Sequence, residues 1–198
     1  LVDANGERTM FPDNGANADL EASDLPSLDD IDGVYLSGYA LLDFRSRDAV
    51  LAMIKKIKAA GKPIYFDPTT TGAMKIVSRD EVLSWVSMMD GILLNSEEAL
   101  YLGDATDVVT AEENLAKHTP LVVIKLGSKG AMAINGSEKA KVPAVTTNVV
   151  DTTGAGDSFA AGFIPKWLET SDLTAALSAG AALAAKCVSS VGARPPLN

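Results

Sequence analysis

The sequence is poor in the residues and segments that mark several common protein classes. It has one cysteine, Cys187, which excludes an internal disulfide and a cysteine-rich zinc site. This usage is typical of proteins kept in a reducing compartment, so we expect a cytoplasmic location. No apolar run reaches the roughly 18 residues that a membrane-spanning helix needs, and we therefore expect no membrane partner.

An excess of basic residues is also lacking. Lys and Arg number 17 against 26 Asp and Glu, which gives a net charge of −9. Bulk binding to nucleic acid or to anionic lipid needs a basic surface, so we expect neither. A nucleotide is not excluded, because a phosphate site is built locally from backbone N–H groups and a metal ion.

What is present is an ordinary globular composition, with 47% hydrophobic and 22% charged residues in 198. Strand-like and helix-like runs alternate, which predicts parallel βαβ units. A small hairpin is expected around Asn135-Gly136. The pattern predicts an α/β fold with a doubly wound, mostly parallel sheet flanked by helices. The strand-like runs are 33–38, 63–68, 91–95 and 121–126, and the helix-like runs are 47–60, 79–89, 97–102, 111–118, 155–169 and 173–191.

Several polar or glycine residues follow the predicted strands. In open α/β sheets ligands bind beyond the carboxyl ends of the strands, which makes these positions candidates for a site. They are Asp67, Asn95, Gly127 and Asp151.

The segment that carries most chemistry runs from Asp151 to Phe159, where a glycine turn leads into a helix. The first N–H groups of a helix have no intrahelical acceptor and carry partial positive charge, so they favour phosphate. Gly154 and Gly156 allow an anion to approach the backbone. Asp157 follows in the first turn. A carboxylate beside an anion site is the arrangement that phosphoryl transfer requires, because the carboxylate accepts the hydroxyl proton.

Residues 151–157 resemble the second signature of the PfkB, ribokinase-like family of carbohydrate kinases, aspartate-threonine-any-glycine-alanine-glycine-aspartate. The resemblance implies that Asp157 is the general base and that Gly154, Ala155 and Gly156 form the anion hole. It also implies that Asp151 and Thr153 line a monovalent-cation (K⁺) site through their carbonyls. A simple capped helix is the alternative, and the complete seven-residue pattern disfavours it.

A second motif, Asn95-Ser96-Glu97-Glu98, resembles the family's asparagine-x-x-glutamate motif. The resemblance places Asn95 near the phosphates and Glu98 on Mg²⁺ through water, with Glu97 as the competing ligand. The alternative is a surface helix with an acidic first turn, for which Ser96 could serve as the cap.

A third motif spans residues 125–130 and resembles the family's nucleotide-side glycine loop. The resemblance assigns the nucleotide to Lys125, Gly127, Ser128 and Gly130, although Lys125 stands where threonine is common. The loop lacks the spacing of a Walker P-loop, and a plain hairpin turn is the alternative.

Both ends of the chain carry weaker likenesses. Gly192 and Ala193 match the family's C-terminal motif, while Ser190 replaces an arginine, which puts part of the cation site in doubt. Residues 6–9 and 15–18 resemble the family's β lid and the loop after it. We therefore expect a lid remnant and connecting loop in residues 1–20, a nucleotide-binding and catalytic domain in residues 21–198, and a family N-terminal portion that is missing here.

The C-terminal helices carry two further predictions. Phe159, Phe163 and Trp167 recur every four residues, which indicates a stripe facing the core. Pro165 lies within the same helix and predicts a kink or an early break. Cys187 is interpreted as a small packing residue.

Taken together, the resemblance implies an ATP-dependent kinase that transfers the γ-phosphate to a hydroxyl of a small sugar or nucleoside, with Mg²⁺ and K⁺. A vitamin or pyrimidine-precursor kinase of the same superfamily is one alternative, and a non-catalytic nucleotide-binding fragment is another. Lid pairing as in some relatives would give a homodimer. These residues do not identify the substrate.

Overall fold

Six short strands form one sheet in the part of the chain that the structure describes, residues 15–196 of a computed structural model. Each strand pairs with the next along the chain. The first four strands are parallel to one another. The fifth pairs antiparallel with the fourth, and the sixth pairs antiparallel with the fifth. The strands are β1 (Val34–Ser37), β2 (Ile64–Asp67), β3 (Gly91–Asn95), β4 (Leu121–Lys125), β5 (Ala131–Asn135) and β6 (Glu138–Val142).

Helices cover both faces of this sheet. They are α1 (Tyr39–Leu42), α2 (Arg47–Ala59), α3 (Thr71–Met74), α4 (Arg79–Val86), α5 (Ser96–Gly103), α6 (Val108–Leu115), α7 (Ala155–Thr170) and α8 (Leu173–Val188). Side chains alternate between the faces of a strand. In β3, Ile92 packs in the cluster that includes α2, α4, α5 and α6, whereas Leu93 packs in the cluster with α7 and α8. The predicted α/β fold is confirmed.

Three of the four apolar runs predicted as strands are buried on both sides. All four residues of β2 and the first four of β3 and β4 are buried, which explains why these runs are continuously apolar and do not alternate. The predicted hairpin at Asn135-Gly136 joins β5 and β6. The predicted lid remnant falls largely on residues 1–14, which lie outside the described residues. Residues Gly15–Asp19 form a short 3₁₀ helix.

Two helix starts differ from prediction because the capping residue lies elsewhere. Ser96 does not cap α5; it is the first helical residue, and Asn95 is the N-cap. The helix predicted from 111 begins at Val108, since Asp107 accepts hydrogen bonds from Val109 N and Thr110 N.

The predicted early break at Pro165 is wrong, because α7 continues from Ala155 to Thr170. Pro165 and Ala161, the residue whose carbonyl loses its helical partner, are both exposed. Water can therefore satisfy that carbonyl. On the opposite side, Phe159 and Phe163 are buried and their ring centroids lie 6.0 Å apart, which confirms the predicted aromatic stripe.

Cys187 is fully buried among the described residues, as its interpretation as a packing residue requires. None of the described helices has the length and apolar character needed to cross a membrane.

Candidate active site

A cleft of about 570 Å³ opens where the parallel strands end and α7 begins. This is the edge at which the sheet topology predicts a ligand. The predicted site residues that line the cleft are Asn95, Glu98, Lys125, Gly127, Ser128, Gly130, Gly154, Ala155, Gly156 and Asp157. The structure therefore brings together three motifs that are far apart in the sequence.

The start of α7 is an open helix N-terminus. Its N-cap, Gly154, makes no side-chain capping bond. The N–H of Ala155 donates to Thr152 O at 3.3 Å, whereas the N–H groups of Gly156 and Asp157 donate to no backbone carbonyl within residues 15–196. These two groups keep their donor capacity at the positive end of a 16-residue helix, which is a favourable place for an anion.

Gly154 is required by the geometry of this turn. Its φ of 74° lies in the left-handed region, and a Cβ at this position would lie 2.1 Å from Ala193 O. The segment after α8 is therefore packed directly on the turn. No residue with a side chain fits here without moving that backbone.

Asp157 is exposed at the cleft, and its Oδ1 accepts a 3.1 Å hydrogen bond from the Tyr35 hydroxyl. Burial raises the pKa of the Tyr35 phenol, and the nearby Asp67 and Asp157 carboxylates raise it further. The phenol thus stays protonated and donates to Asp157. The sequence analysis missed Tyr35. Its candidate residues were those that follow the ends of the predicted strands, whereas Tyr35 lies within β1. An aromatic residue two positions before the end of an edge strand was the available signal.

The start of α5 is closed by its own side chains. Asn95 Oδ1 accepts from Glu98 N, while Glu98 Oε2 accepts from Asn95 N and Glu98 Oε1 accepts from Asn95 Nδ2. This capping box leaves Glu98 only 3% exposed. Burial raises the pKa of Glu98 to about 7, and the hydrogen bond from Asn95 and the Lys125 ammonium oppose that shift.

Lys125 and Asp67 form an ion pair inside the cleft. The Nζ of Lys125 lies 2.7 Å from Asp67 Oδ2, and the two side chains are 15% and 10% exposed. The same Nζ lies 3.3 Å from the position that a Cβ on Gly156 would occupy. Lys125, at the end of β4, therefore reaches past the end of β3 to β2 and lies beside the start of α7.

The glycine loop after β4 turns tightly. Residues Gly127–Lys129 form a 3₁₀ turn, and Leu126 N donates to Gly130 O at 2.8 Å. Gly130 has a φ of 93°, and a Cβ there would lie 2.0 Å from Val142 O. The loop joins antiparallel strands, as a hairpin turn does, and it also lines the cleft.

The residues predicted for a monovalent cation lie apart from the cleft lining. Asp151 Oδ1 accepts from Thr153 N and from Thr153 Oγ1, and Asp151 Oδ2 accepts from Gly192 N at 3.1 Å. The thiol of Cys187 donates to Thr153 O at 3.4 Å. The carboxylate is thus engaged in fixing the turn, so a cation would have to be held by main-chain carbonyls, as the resemblance implies.

Among the described residues, no group of three or more His, Cys, Asp or Glu side chains is placed to hold a metal ion directly. Both oxygens of Glu98 already accept hydrogen bonds. These residues fit Mg²⁺ only as an ion carried by nucleotide phosphates, with Glu98 acting through water.

Comparisons with known proteins agree with this geometry. The pfkB family carbohydrate kinase model matches residues 1–198. The chain is 30% identical over 200 residues to an uncharacterized sugar kinase of Archaeoglobus fulgidus, covering 100% of this chain and 78% of that protein. It is 31% identical to a fructokinase of Klebsiella pneumoniae, covering 94% of this chain and 64% of the relative.

Solved structures give the same result. Adenosine kinase from Sinorhizobium meliloti superposes with a TM-score of 0.83 at 29% identity, covering 91% of this chain and 56% of that one. A Vibrio cholerae fructokinase with bound fructose, ADP and potassium ion superposes with a TM-score of 0.78 at 25% identity, covering 88% and 59%. The chain thus spans little more than half the length of these structures.

Proposed function

Because the chain belongs to the PfkB family of carbohydrate kinases, we propose that it supplies the nucleotide site and the catalytic base of an ATP-dependent kinase for a small sugar or nucleoside. One observation carries the proposal. An exposed carboxylate, Asp157, stands in the first turn of a helix whose N-terminal N–H groups are open to the same cleft.

The chemistry follows from the order of groups along the cleft. Asp157 accepts the proton of the acceptor hydroxyl, whose oxygen attacks the γ-phosphorus in line with the leaving oxygen. The turn of Gly154, Ala155 and Gly156 forms the proposed anion hole, where the open N–H groups of Gly156 and Asp157 stabilise the charge on the transferred group. The phenol of Tyr35 donates to Asp157 Oδ1, and among the described residues nothing donates to Oδ2, which is the oxygen proposed to receive the acceptor hydroxyl.

The nucleotide is proposed to lie along the glycine loop and α8. Gly127, Ser128 and Gly130 line one wall of the cleft, and Ala181, Ala184 and Ala185 of α8 provide an apolar wall for a base. Lys125 and Asn95 stand on the phosphate side of this arrangement. Gly192 is proposed to act from behind the turn, through its bond to Asp151.

Two cations complete the proposal. Glu98 would contact the water shell of Mg²⁺ bound together with ATP, and the ion would neutralise charge on the phosphates. K⁺ would be held by the carbonyls of Asp151 and Thr153. Residues 1–20 remain predicted as lid and connecting loop. Acceptor recognition, homodimerisation and a cytoplasmic location are proposals for the whole protein.

The test is ATP turnover with a panel of pentoses, hexoses and nucleosides, together with calorimetric binding of ADP. Asp157→Asn keeps the shape and removes the base, so we expect turnover to fall roughly 10²- to 10⁴-fold with ADP affinity unchanged. Asp172→Asn is the matched control, because Asp172 caps α8 outside the cleft and asparagine caps equally well.

Full turnover in Asp157→Asn would refute the mechanism. Binding of ADP without turnover on any acceptor would support the alternative, a non-catalytic nucleotide-binding fragment.

A further inference from the structure

The position of Lys125 is not explained by stability alone. Its ammonium group lies beside the N-terminus of α7, where the helix dipole is positive and a cation is disfavoured. The side chain is also largely removed from water. Asp67 offsets part of this cost with a 2.7 Å ion pair, but a fold that needed only stability would place neither charge here.

The donors around Lys125 converge on one volume. The ammonium carries up to three N–H donors, and the open N–H groups of Gly156 and Asp157 belong to the adjacent helix start. A tetrahedral phosphate with several charged oxygens can bond to both sets at once.

The direction of the side chain decides which phosphate this is. The glycine loop begins at Gly127, two residues after Lys125, yet the ammonium points away from the loop and past β3 to Asp67 on β2. Asp157 lies further along the same edge, bonded to Tyr35 of β1. The ammonium therefore lies between the glycine loop and the carboxylate of Asp157, on the path of the phosphoryl group from the nucleotide to the acceptor.

We propose that Lys125 is a catalytic residue whose ammonium contacts the transferring phosphoryl group, and that Asp67 is the positioning residue that aims it. This inference rests on the proposed kinase function. In the step, the acceptor oxygen–phosphorus bond forms, the bond from phosphorus to the oxygen bridging the β- and γ-phosphates breaks, and the acceptor proton goes to Asp157. Lys125 remains an ammonium throughout and exchanges no proton.

The test compares calorimetric binding of two probes to the chain, Mg²⁺ with the non-hydrolysable ATP analogue AMP-PNP and Mg²⁺ with ADP. We expect Lys125→Met to weaken AMP-PNP roughly 10- to 100-fold while ADP changes less than about threefold. Lys125→Arg keeps the charge and should recover most of the AMP-PNP affinity. Lys117→Met, a lysine outside the cleft, is the matched control and should change neither.

A positioning role for Asp67 needs a separate readout. Asp67→Asn leaves the ammonium without its partner. The affinity for AMP-PNP relative to ADP should therefore fall, although the lysine is intact. The double variant Lys125→Met with Asp67→Asn removes both buried charges and guards against loss of folding in the single variant, since no unpaired charge remains. It should bind ADP like the parent, and its affinity for AMP-PNP relative to ADP should be reduced as in Lys125→Met.

The outcomes separate this inference from the proposed function. Equal weakening of ADP and AMP-PNP in Lys125→Met, or no weakening of either, overturns the role of Lys125 at the transferring group. If Lys125→Met instead weakened the binding of inorganic phosphate or ribose 5-phosphate and left the binding of AMP-PNP unchanged, Lys125 would be assigned to a phosphate on the acceptor. That result would also overturn the proposal. A parent chain that binds neither nucleotide refutes the kinase function itself.

Discussion

Two helices begin at the same edge of the sheet, and they treat their N-termini in opposite ways. In α5 a capping box of the Asn95 and Glu98 side chains satisfies the N–H groups of those two residues. In α7 the N-cap is Gly154, which has no side chain to offer, and the N–H groups of Gly156 and Asp157 donate to no backbone carbonyl within residues 15–196. Since an uncapped helix start sacrifices stability, the difference supports the proposal that the start of α7 binds a ligand.

The difference also supports the roles proposed for the two acidic residues. Glu98 is buried and bonded within its own helix start, whereas Asp157 is exposed and, within residues 15–196, bonded only to Tyr35 from a distant strand. Both stand in the first turn of a helix, so position in the motif does not separate them. Burial and hydrogen bonding do, because of the two only Asp157 is exposed and keeps an oxygen, Oδ2, that accepts no hydrogen bond among the described residues.

The largest effect on stability is expected from a substitution at Gly154, the N-cap of α7. Gly154→Ala places a Cβ against Ala193 O in the left-handed region, and we expect a loss of roughly 3 to 4 kcal/mol in the free energy of unfolding. Gly127→Ala is the control, because Gly127 also has a positive φ but no atom lies within 4 Å of the added Cβ. It should cost about 1 kcal/mol. Equal losses by urea denaturation would contradict the tight packing at Gly154.

The next effect concerns the closed start and depends on pH. The pKa of Glu98 is raised to about 7 in the folded protein, so the folded state binds this proton more tightly than the unfolded state. Between about pH 4.5 and 7 the free energy of unfolding should therefore fall as pH rises, by up to about 3 kcal/mol, with the loss complete above pH 7.

Glu98→Gln removes this titration, and the decline in stability over that range should disappear when denaturation is measured at pH 5 and pH 8. Glu97→Gln is the matched control, because Glu97 is the exposed neighbour in the same turn and its replacement should leave the decline in place. A Glu98→Gln variant with the parental pH dependence would refute the assignment.

The smallest effect is expected at the contact between Tyr35 and Asp157. Tyr35→Phe removes one hydrogen bond between partly exposed groups that water can replace, so we expect a change of less than about 1 kcal/mol. Tyr39→Phe gives the baseline for losing a cleft phenol elsewhere. A loss of 2 kcal/mol or more in Tyr35→Phe alone would mean that Asp157 is anchored as a structural group.

Local chemistry made much of this molecule predictable. The strands β2, β3 and β4 are continuous apolar runs, and the glycine turn before Asp157 offers no side chain that could cap the helix after it. The cap of α5 was misassigned by one residue, because Asn95 serves both as the last residue of β3 and as the N-cap. Pro165 was misjudged because its effect depends on exposure, which the sequence does not show.

Contacts between distant segments could not be predicted from the sequence. Lys125 and Asp67 are 58 residues apart and meet only because β3 alone separates their strands, a spacing of roughly 10 Å that a lysine side chain and a carboxylate can bridge together. Tyr35 and Asp157 are 122 residues apart. Both pairs require the strand order, which the alternation of helices and strands leaves open.

The sequential order of the strands has a consequence for how the chain acquires its binding site. Each strand can pair with the one made just before it, so sheet growth needs only short loop closures. The cleft, in contrast, joins β1 to α7 and is complete only when the last two helices dock. A chain arrested before that step has a sheet but no phosphate site. A nucleotide that binds only the finished cleft would therefore stabilise the docked C-terminal helices by mass action.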